Sequence, residues 1–129
     1  MNELQKALKY NAVFSSTSGL TMILFNKQIA ELFGTSNNAV FWIVGLILIY
    51  FTITIWYEIR KQRKIAVLWI IIQDFLWVLG SIVLIILNPF GITLLGNLII
   101  GIIASIVLVM GVNQTRALNK KVISNKVSL

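Results

Sequence analysis

The run "IAVLWIIIQDFLWVLGSIVLIIL" at residues 65–87 carries a single charge, that of Asp74. A helix needs about 20 apolar residues to cross the ~30 Å hydrocarbon core of a bilayer, so this run predicts a membrane span. Two further runs, residues 39–57 and 92–112, meet the same criterion. The chain is 58% hydrophobic and 12% charged over 129 residues, a composition unlike that of a soluble domain.

A shorter apolar block contains the polar stretch "SSTS" at residues 15–18. Serine and threonine hydroxyls can bond to carbonyls of the preceding turn or to a neighbouring helix, so a helix can carry them through lipid. We therefore predict an all-α, four-helix membrane bundle in a single domain, residues 1–115, followed by a basic cytoplasmic tail at 116–129. The predicted spans are residues 8–26, 39–57, 65–87 and 92–112. The alternative lays the first helix along the membrane interface.

The positions of the 11 Lys and Arg residues predict the topology, because cytoplasmic loops are enriched in both residue types. With four spans and both termini in the cytoplasm, ten of the 11 lie inside and only Lys27 lies outside. Three spans would place Lys6 and Lys9 outside. The ten inside positions are Lys6, Lys9, Arg60, Lys61, Arg63, Lys64, Arg116, Lys120, Lys121 and Lys126.

Composition also excludes several classes of function. The net charge of +7 is explained by topology and attraction to anionic lipid, so we expect a lipid bilayer as partner and no nucleic acid. The chain has no Cys and no His, which argues against thiol catalysis, metal sites and redox cofactors. No pair of titratable groups converges, so we expect no enzyme. Short loops and small size favour a multi-pass protein of a bacterial cytoplasmic (plasma) membrane.

Of all residues in the predicted spans, Asp74 has the highest free-energy cost of insertion into the membrane. Placing an aspartate at the centre of a membrane helix costs about 2.5–3.5 kcal/mol. At about 1.5 Å per residue, Asp74 lies about 13 Å past Ile65, close to the membrane midplane. No Lys or Arg lies at this depth in any predicted span. We therefore expect the carboxyl group to face polar groups on neighbouring helices.

Helical spacing predicts which residues provide those groups. Asp74, Trp77 and Ser81 share a face of the third span. On the first span one small and polar face holds Asn11, Ser15, Ser18, Gly19 and Met22. On the fourth span, a stripe at i+4 steps holds Asn97, Gly101 and Ser105. The candidate intramembrane polar site is Ser18, Tyr50, Asp74, Trp77, Ser81, Asn97 and Ser105.

Residues 18–34 align with residues 80–96, with identical residues at four positions in the seventeen. Both segments would leave the cytoplasm and turn back. The pattern is compatible with two parallel helical hairpins related by an axis along the membrane normal, as in some transporters.

Three motifs resemble a family. "NAVFSSTSGL" at residues 11–20, "DFLWVLGS" at 74–81 and "NQ" at 113–114 resemble a widespread group of short, uncharacterised bacterial four-span membrane proteins. The resemblance implies no activity. It implies that Asp74, Trp77, Gly80 and Ser81 form a motif.

Two hypotheses for function remain open. The first is a small oligomeric transporter or channel that uses Asp74 as its proton or cation group, since a four-span chain of this length is too small to enclose a pathway alone. The alternative is a noncatalytic membrane partner or scaffold, in which a neutral Asp74 donates a structural hydrogen bond. The expected protein partner is a second copy of the chain or another membrane protein.

Overall fold

The computed structural model describes residues 2–127, with the side chains of residues 2–125. The predicted all-α class is confirmed over these residues, which form five helices. The helices are α1 (Glu3–Leu24), α2 (Asn26–Phe33), α3 (Ala39–Lys61), α4 (Lys64–Leu87) and α5 (Leu94–Val127).

The helix ends follow from local sequence. At the start of α1, the Asn2 side chain accepts the Gln5 N–H (2.8 Å) and the Gln5 side chain accepts the Asn2 N–H (3.1 Å), which is a capping box. Gly34 ends α2 in the left-handed conformation at φ 79°, which glycine adopts without steric cost. Asn88 ends α4 at φ 43°, directly before Pro89.

The turn between α3 and α4 is closed by a buried carboxylate. Glu58 is 2% exposed and accepts the Arg63 backbone N–H at 3.1 Å and the Arg63 Nε–H at 3.0 Å. The hydrogen bond to Glu58 raises the pKa of the Arg63 guanidinium, whose carbon also lies 5.3 Å from the centre of the Tyr57 ring. Because the Glu58 charge is paired and hydrogen-bonded, its burial is tolerated.

Neighbouring helices run antiparallel. The Gln5 side chain of α1 donates to the Ile59 carbonyl of α3 at 3.0 Å, while Gly19 lies against Gly45 further along both helices. Residues near the end of α5 contact the start of α1, since Lys120 Nζ lies 3.2 Å from Glu3 Oε2. Helix α1 is therefore antiparallel to both α3 and α5.

One end of the molecule, called here the basic end, joins three parts of the chain around Gln62. Its Oε1 accepts hydrogen bonds from Asn2 Nδ2 at 2.8 Å and from Lys121 Nζ at 3.0 Å. The start of α1, the α3–α4 turn and the last turns of α5 therefore meet at the same end. Most of the Lys and Arg residues of the chain lie in these three parts.

The opposite end is held together by α2. The Thr93 hydroxyl, just before α5, donates to the Leu32 carbonyl at 2.6 Å. The rings of Phe33 and Phe41 meet edge to face with centroids 5.1 Å apart. Gly96 lies against Phe33, where an added Cβ would come within 3.2 Å of the ring. These contacts fix α2 against both α3 and α5.

The hydrophobic core lies toward the basic end, and α1 is its central helix. The part of α1 from Leu4 to Ala12 is enclosed by residues of the other three long helices. The core residues are Leu4, Ala7, Leu8, Ala12, Ile55, Ile59, Val67, Ile70, Ile71, Ala117 and Leu118. Elsewhere most large apolar side chains face outward, as expected of a surface covered by lipid.

Three of the helices are long and apolar enough to cross a membrane: α3, α4 and α5 from Leu94 to Asn125. Helix α1 falls outside this group, and it carries Lys6, Lys9 and the "SSTS" stretch. Helix α5 also continues well beyond the predicted span at residues 92–112, through the predicted tail to Val127. No Gly or Pro follows Gly111, and Ala117 and Leu118 pack in the core, so nothing ends the helix earlier.

Candidate functional site

Four buried polar side chains from three helices meet at one place in the interior. Asn11 (0% exposed) and Ser15 (4%) come from α1, Asp74 (4%) from α4 and Gln114 (0%) from α5. These residues are called the Asp74 cluster below. Buried polar groups are costly unless they are hydrogen-bonded, so their grouping is a specific feature of the fold.

The hydrogen bonds of the cluster form a closed ring. Asn11 Nδ2 donates to Asp74 Oδ2 at 2.8 Å and to Gln114 Oε1 at 3.0 Å. Gln114 Nε2 donates to the same Asp74 oxygen at 2.7 Å. The Ser15 hydroxyl donates to Asn11 Oδ1 at 2.9 Å. Each Nδ2 hydrogen of Asn11 therefore has an acceptor, and its carbonyl oxygen has a donor.

No Lys or Arg side chain within the described residues 2–125 forms an ion pair with Asp74. Among the side chains that the structure describes, the ion pairs are Arg63 with Glu58 and Lys120 with Glu3, and both lie at the basic end. The two hydrogen bonds that Asp74 receives from described residues both fall on Oδ2, and none falls on Oδ1. A carboxylate buried without a counter-charge is expensive, which sets Asp74 apart from the neutral amides and the hydroxyl around it.

Local sequence explains why the cluster assembles. Asn11 and Ser15 are one helical turn apart on α1, on the face that also buries Leu8 and Ala12. On α5, Gly111 precedes Gln114 by one turn, and a Cβ at Gly111 would come within 3.2 Å of the Phe75 ring. This small residue lets α5 approach α4 beside Asp74, and the Gln114 amide then reaches the carboxyl group.

The structure places Asp74 in this cluster and the other predicted site residues elsewhere. Ser81 is buried, but its hydroxyl bonds to the Trp77 carbonyl of its own helix, and Trp77 is 38% exposed. Tyr50 is 72% exposed, and Ser18 is half-buried on α1.

On α5, the predicted residues Asn97 and Ser105 also lie outside the cluster. Ser105 is exposed and donates to the Gly101 carbonyl at 2.9 Å. Asn97 is half-buried, and its Oδ1 is a buried oxygen without a hydrogen-bond partner. Asn97, Gly101 and Ser105 do lie at i+4 steps on helix α5, but they do not contact Asp74.

The cluster partners lie closer to the basic end than the depth estimate indicates. Asn11 is two residues from Lys9, and Gln114 is two residues from Arg116, a rise of about 3 Å along each helix. In the sequence, the depth of each residue was counted from the border of its apolar run. Because α1 begins at Glu3 and α5 continues to Val127, those borders are not the helix ends. The signal available in the sequence was polar Asn11 and Gln114 on otherwise apolar helix faces.

The cluster differs from common metal and ligand sites. Within the described part of the chain, no group of three His, Cys, Asp or Glu residues could hold a metal ion. The cluster does contain oxygens from one carboxylate, two amides and one hydroxyl. A surface depression lined by α2 and the α2–α3 link, and a shallow apolar one around Ser105 and Val109, include no cluster residue.

Comparisons of the chain with protein-family models, curated proteins and solved structures find no match. The resemblance to short four-span membrane proteins therefore stays a prediction. The fold and the apolar helices indicate a membrane protein, and any function must be argued from the chemistry of the Asp74 cluster.

Proposed function

We propose that α1 is a fourth span beside α3, α4 and α5, with both termini in the cytoplasm of a bacterium. Helix α1 has 22 residues and is about 33 Å long, enough to cross a hydrocarbon core. It lies along α3 from Gln5 opposite Ile59 to Gly19 opposite Gly45, so it occupies the same depth as a helix suited to span. The basic residues near Gln62 are expected to face the cytoplasm.

Single-cysteine labelling tests this topology, because the natural chain has no Cys. Ser36 lies in the exposed α2–α3 link, and Ser124 is exposed near the end of α5. We expect an impermeant maleimide to label Ser36→Cys in intact cells and Ser124→Cys only after permeabilisation. An Asn2→Cys variant, in the same assay, should behave like Ser124→Cys. Labelling of Asn2→Cys from outside would show three spans and refute the proposal.

We further propose that the protein is a small oligomeric transporter or channel in which Asp74 carries a proton or cation. The observation that supports this most strongly is a buried carboxyl group near neutral amides and a hydroxyl, with no Lys or Arg of the described side chains paired to it. Intramembrane acids of this kind mark ion pathways and proton relays. The short distance from the cluster to Lys9 and Arg116 supports a position near the cytoplasmic surface in the proposed topology.

We expect the transporter or channel to assemble from more than one copy of the chain. In each copy the region between α1, α4 and α5 is filled by the core and by the Asp74 cluster. Outward-facing apolar side chains along α3, α4 and α5 offer ample surface for contact between copies or with lipid. A second copy is therefore the expected partner.

Asp74 is the only aspartate of the chain, so carboxyl-labelled ¹³C-aspartate introduced by cell-free synthesis reports on this residue alone. In lipid nanodiscs we expect its infrared carboxyl band to change between protonated and ionised forms across mildly acidic to mildly alkaline buffers. The labelled band should change with pH in the wild type, and it should be absent from the Asp74→Asn variant. A band that keeps one form throughout, in a folded protein, would contradict the exchange of a proton or a cation.

The ring of hydrogen bonds supports a second candidate, the noncatalytic membrane partner or scaffold. Both Asn11 Nδ2 hydrogens are used to join α1 to α4 and α5, which is a suitable arrangement for fixing helix register. Asp74 accepts both bonds at Oδ2 and donates none to the described residues, which differs from the donor role expected of a neutral Asp74. Under this candidate, Asp74→Asn leaves folding unchanged and a larger membrane protein copurifies with either form.

A further inference from the structure

We propose that the Asp74 cluster binds a monovalent metal cation of the size of Na⁺, and that rotation of the Asn11 side-chain amide opens the site. This inference rests on the proposed function, because it names the ion that Asp74 would carry.

The site is formed when the Asn11 amide rotates, so that its oxygen and its nitrogen change places. Asn11 Nδ2 now lies 2.8 Å from Asp74 Oδ2 and 3.0 Å from Gln114 Oε1. The amide oxygen and nitrogen of asparagine have nearly the same size, and its terminal torsion has a broad, two-fold profile. Rotation by half a turn places Oδ1 where Nδ2 was. Three oxygens from three helices then face one another.

After rotation, Asn11 Oδ1 would repel both Asp74 Oδ2 and Gln114 Oε1 unless a positive charge lay between them. Hard cations prefer carboxylate and amide carbonyl oxygens, which are the atoms that Asp74, Gln114 and the rotated Asn11 supply here. Gln114 keeps its present orientation, since its Oε1 already faces Asn11 and its Nε2 still donates to Asp74 at 2.7 Å. A single rotation therefore converts a hydrogen-bond ring into a set of cation ligands.

Ser15 can keep one hydrogen bond to Asn11 in both orientations of the amide. Its hydroxyl now donates to Asn11 Oδ1 at 2.9 Å. A hydroxyl can also accept, so after rotation Ser15 accepts a hydrogen bond from Asn11 Nδ2. Ser15 is a positioning residue in this scheme because it touches Asn11 and does not touch the cation.

The charge of the cluster selects a monovalent ion. Asp74 supplies one negative charge, and the other acids lie elsewhere: Glu58 is bound to Arg63, Glu3 is paired with Lys120, and Glu31 is on α2. A monovalent cation neutralises the site, whereas a divalent cation would leave an excess positive charge in a poorly solvated place. The close spacing of the oxygens around Asn11 favours a small cation over K⁺.

The test uses the full chain in nanodiscs and measures its unfolding midpoint as Na⁺ replaces choline at constant ionic strength and pH. We expect a saturable rise of the midpoint with Na⁺ and a weaker response to K⁺. Asp74→Asn should abolish the response. Ser15→Ala should weaken the apparent affinity by about tenfold, as loss of a group that orients a ligand commonly does. Asn97→Leu, outside the cluster, should leave the response unchanged.

The wild type alone can decide the question if a cluster variant fails to fold. A ¹³C-labelled Asp74 carboxyl band that shifts with Na⁺ and does not shift with choline supports the site. A band that follows pH while ignoring Na⁺ overturns the cation site and leaves Asp74 as a proton carrier. A band that follows neither overturns both proposals. An equal or stronger response to K⁺ overturns the assignment to an ion of the size of Na⁺.

Discussion

Asn11→Leu is expected to lower the free energy of unfolding by about 2–4 kcal/mol, because the change leaves buried polar groups without partners. Gln114 Oε1 loses its donor, Ser15 loses its acceptor, and Asp74 keeps one of its two donors. Leucine has the same number and branching of side-chain heavy atoms as asparagine, so the substitution changes polarity more than shape. The measurement is reversible unfolding by SDS titration in mixed micelles, followed by circular dichroism.

The matched control is Asn97→Leu, the same substitution on α5. Asn97 has a buried Oδ1 without a partner, so its replacement removes an unsatisfied group. We expect no loss of stability, or a small gain. If Asn11→Leu and Asn97→Leu had the same effect, the hydrogen-bond ring around Asp74 would contribute nothing specific to the fold.

Gly45→Ala is expected to destabilise the protein by about 1–3 kcal/mol, the usual cost of overpacking a tight contact. A Cβ at Gly45 would lie 2.8 Å from the Gly19 carbonyl oxygen on α1. That oxygen is part of the backbone, so α1 and α3 would have to move apart. The same SDS titration measures the effect, and accessibility of Ser16→Cys on α1 reports whether the helices separate.

Gly80→Ala provides the control for this prediction. Gly80 is also within a long helix, but a Cβ there would have nothing within 4 Å. Alanine favours the helix over glycine by up to about 1 kcal/mol, so Gly80→Ala should be neutral or stabilising. A loss of stability in Gly80→Ala equal to that in Gly45→Ala would show that the α1–α3 contact is not the cause.

These variants also separate the stability of the cluster from its proposed chemistry. Asn11→Leu removes both the hydrogen-bond ring and one proposed cation ligand, so it cannot distinguish the two roles. Asp74→Asn keeps an oxygen that can accept from Asn11 and Gln114 while removing the charge. A protein that folds normally as Asp74→Asn but no longer responds to pH or to Na⁺ would assign the charge to function and the amides to structure.

The sequence predicts the positions of the long helices well. The runs at 39–57 and 65–87 fall inside α3 and α4, because long apolar segments form helices in lipid, where every backbone group must be bonded internally. Helices α1 and α4 run in the same direction, and α3 and α5 both run in the opposite direction, which is compatible with two parallel hairpins. The internal sequence repeat stays a prediction.

The partners of Asp74 could not be predicted from depth alone. Depth counted from apolar borders gives Ser18 and Ser105 as neighbours, whereas the contacts are with Asn11 and Gln114. The difference is about two helical turns on α1 and about two and a half on α5. It arises because charged ends of α1 and α5 continue as helix at the basic end and are packed there by Gln62 and the core.

Sequence alone determined that the chain is helical and apolar enough for a membrane, and that Asp74 must find polar neighbours, since both conclusions depend on solvation of single segments. Tertiary structure decided which groups those neighbours are. The close contacts at Gly45 and Gly111 set the distances between helices, and the core at the basic end sets their register. Register and distance are properties of pairs of helices, and no single segment of the sequence contains them.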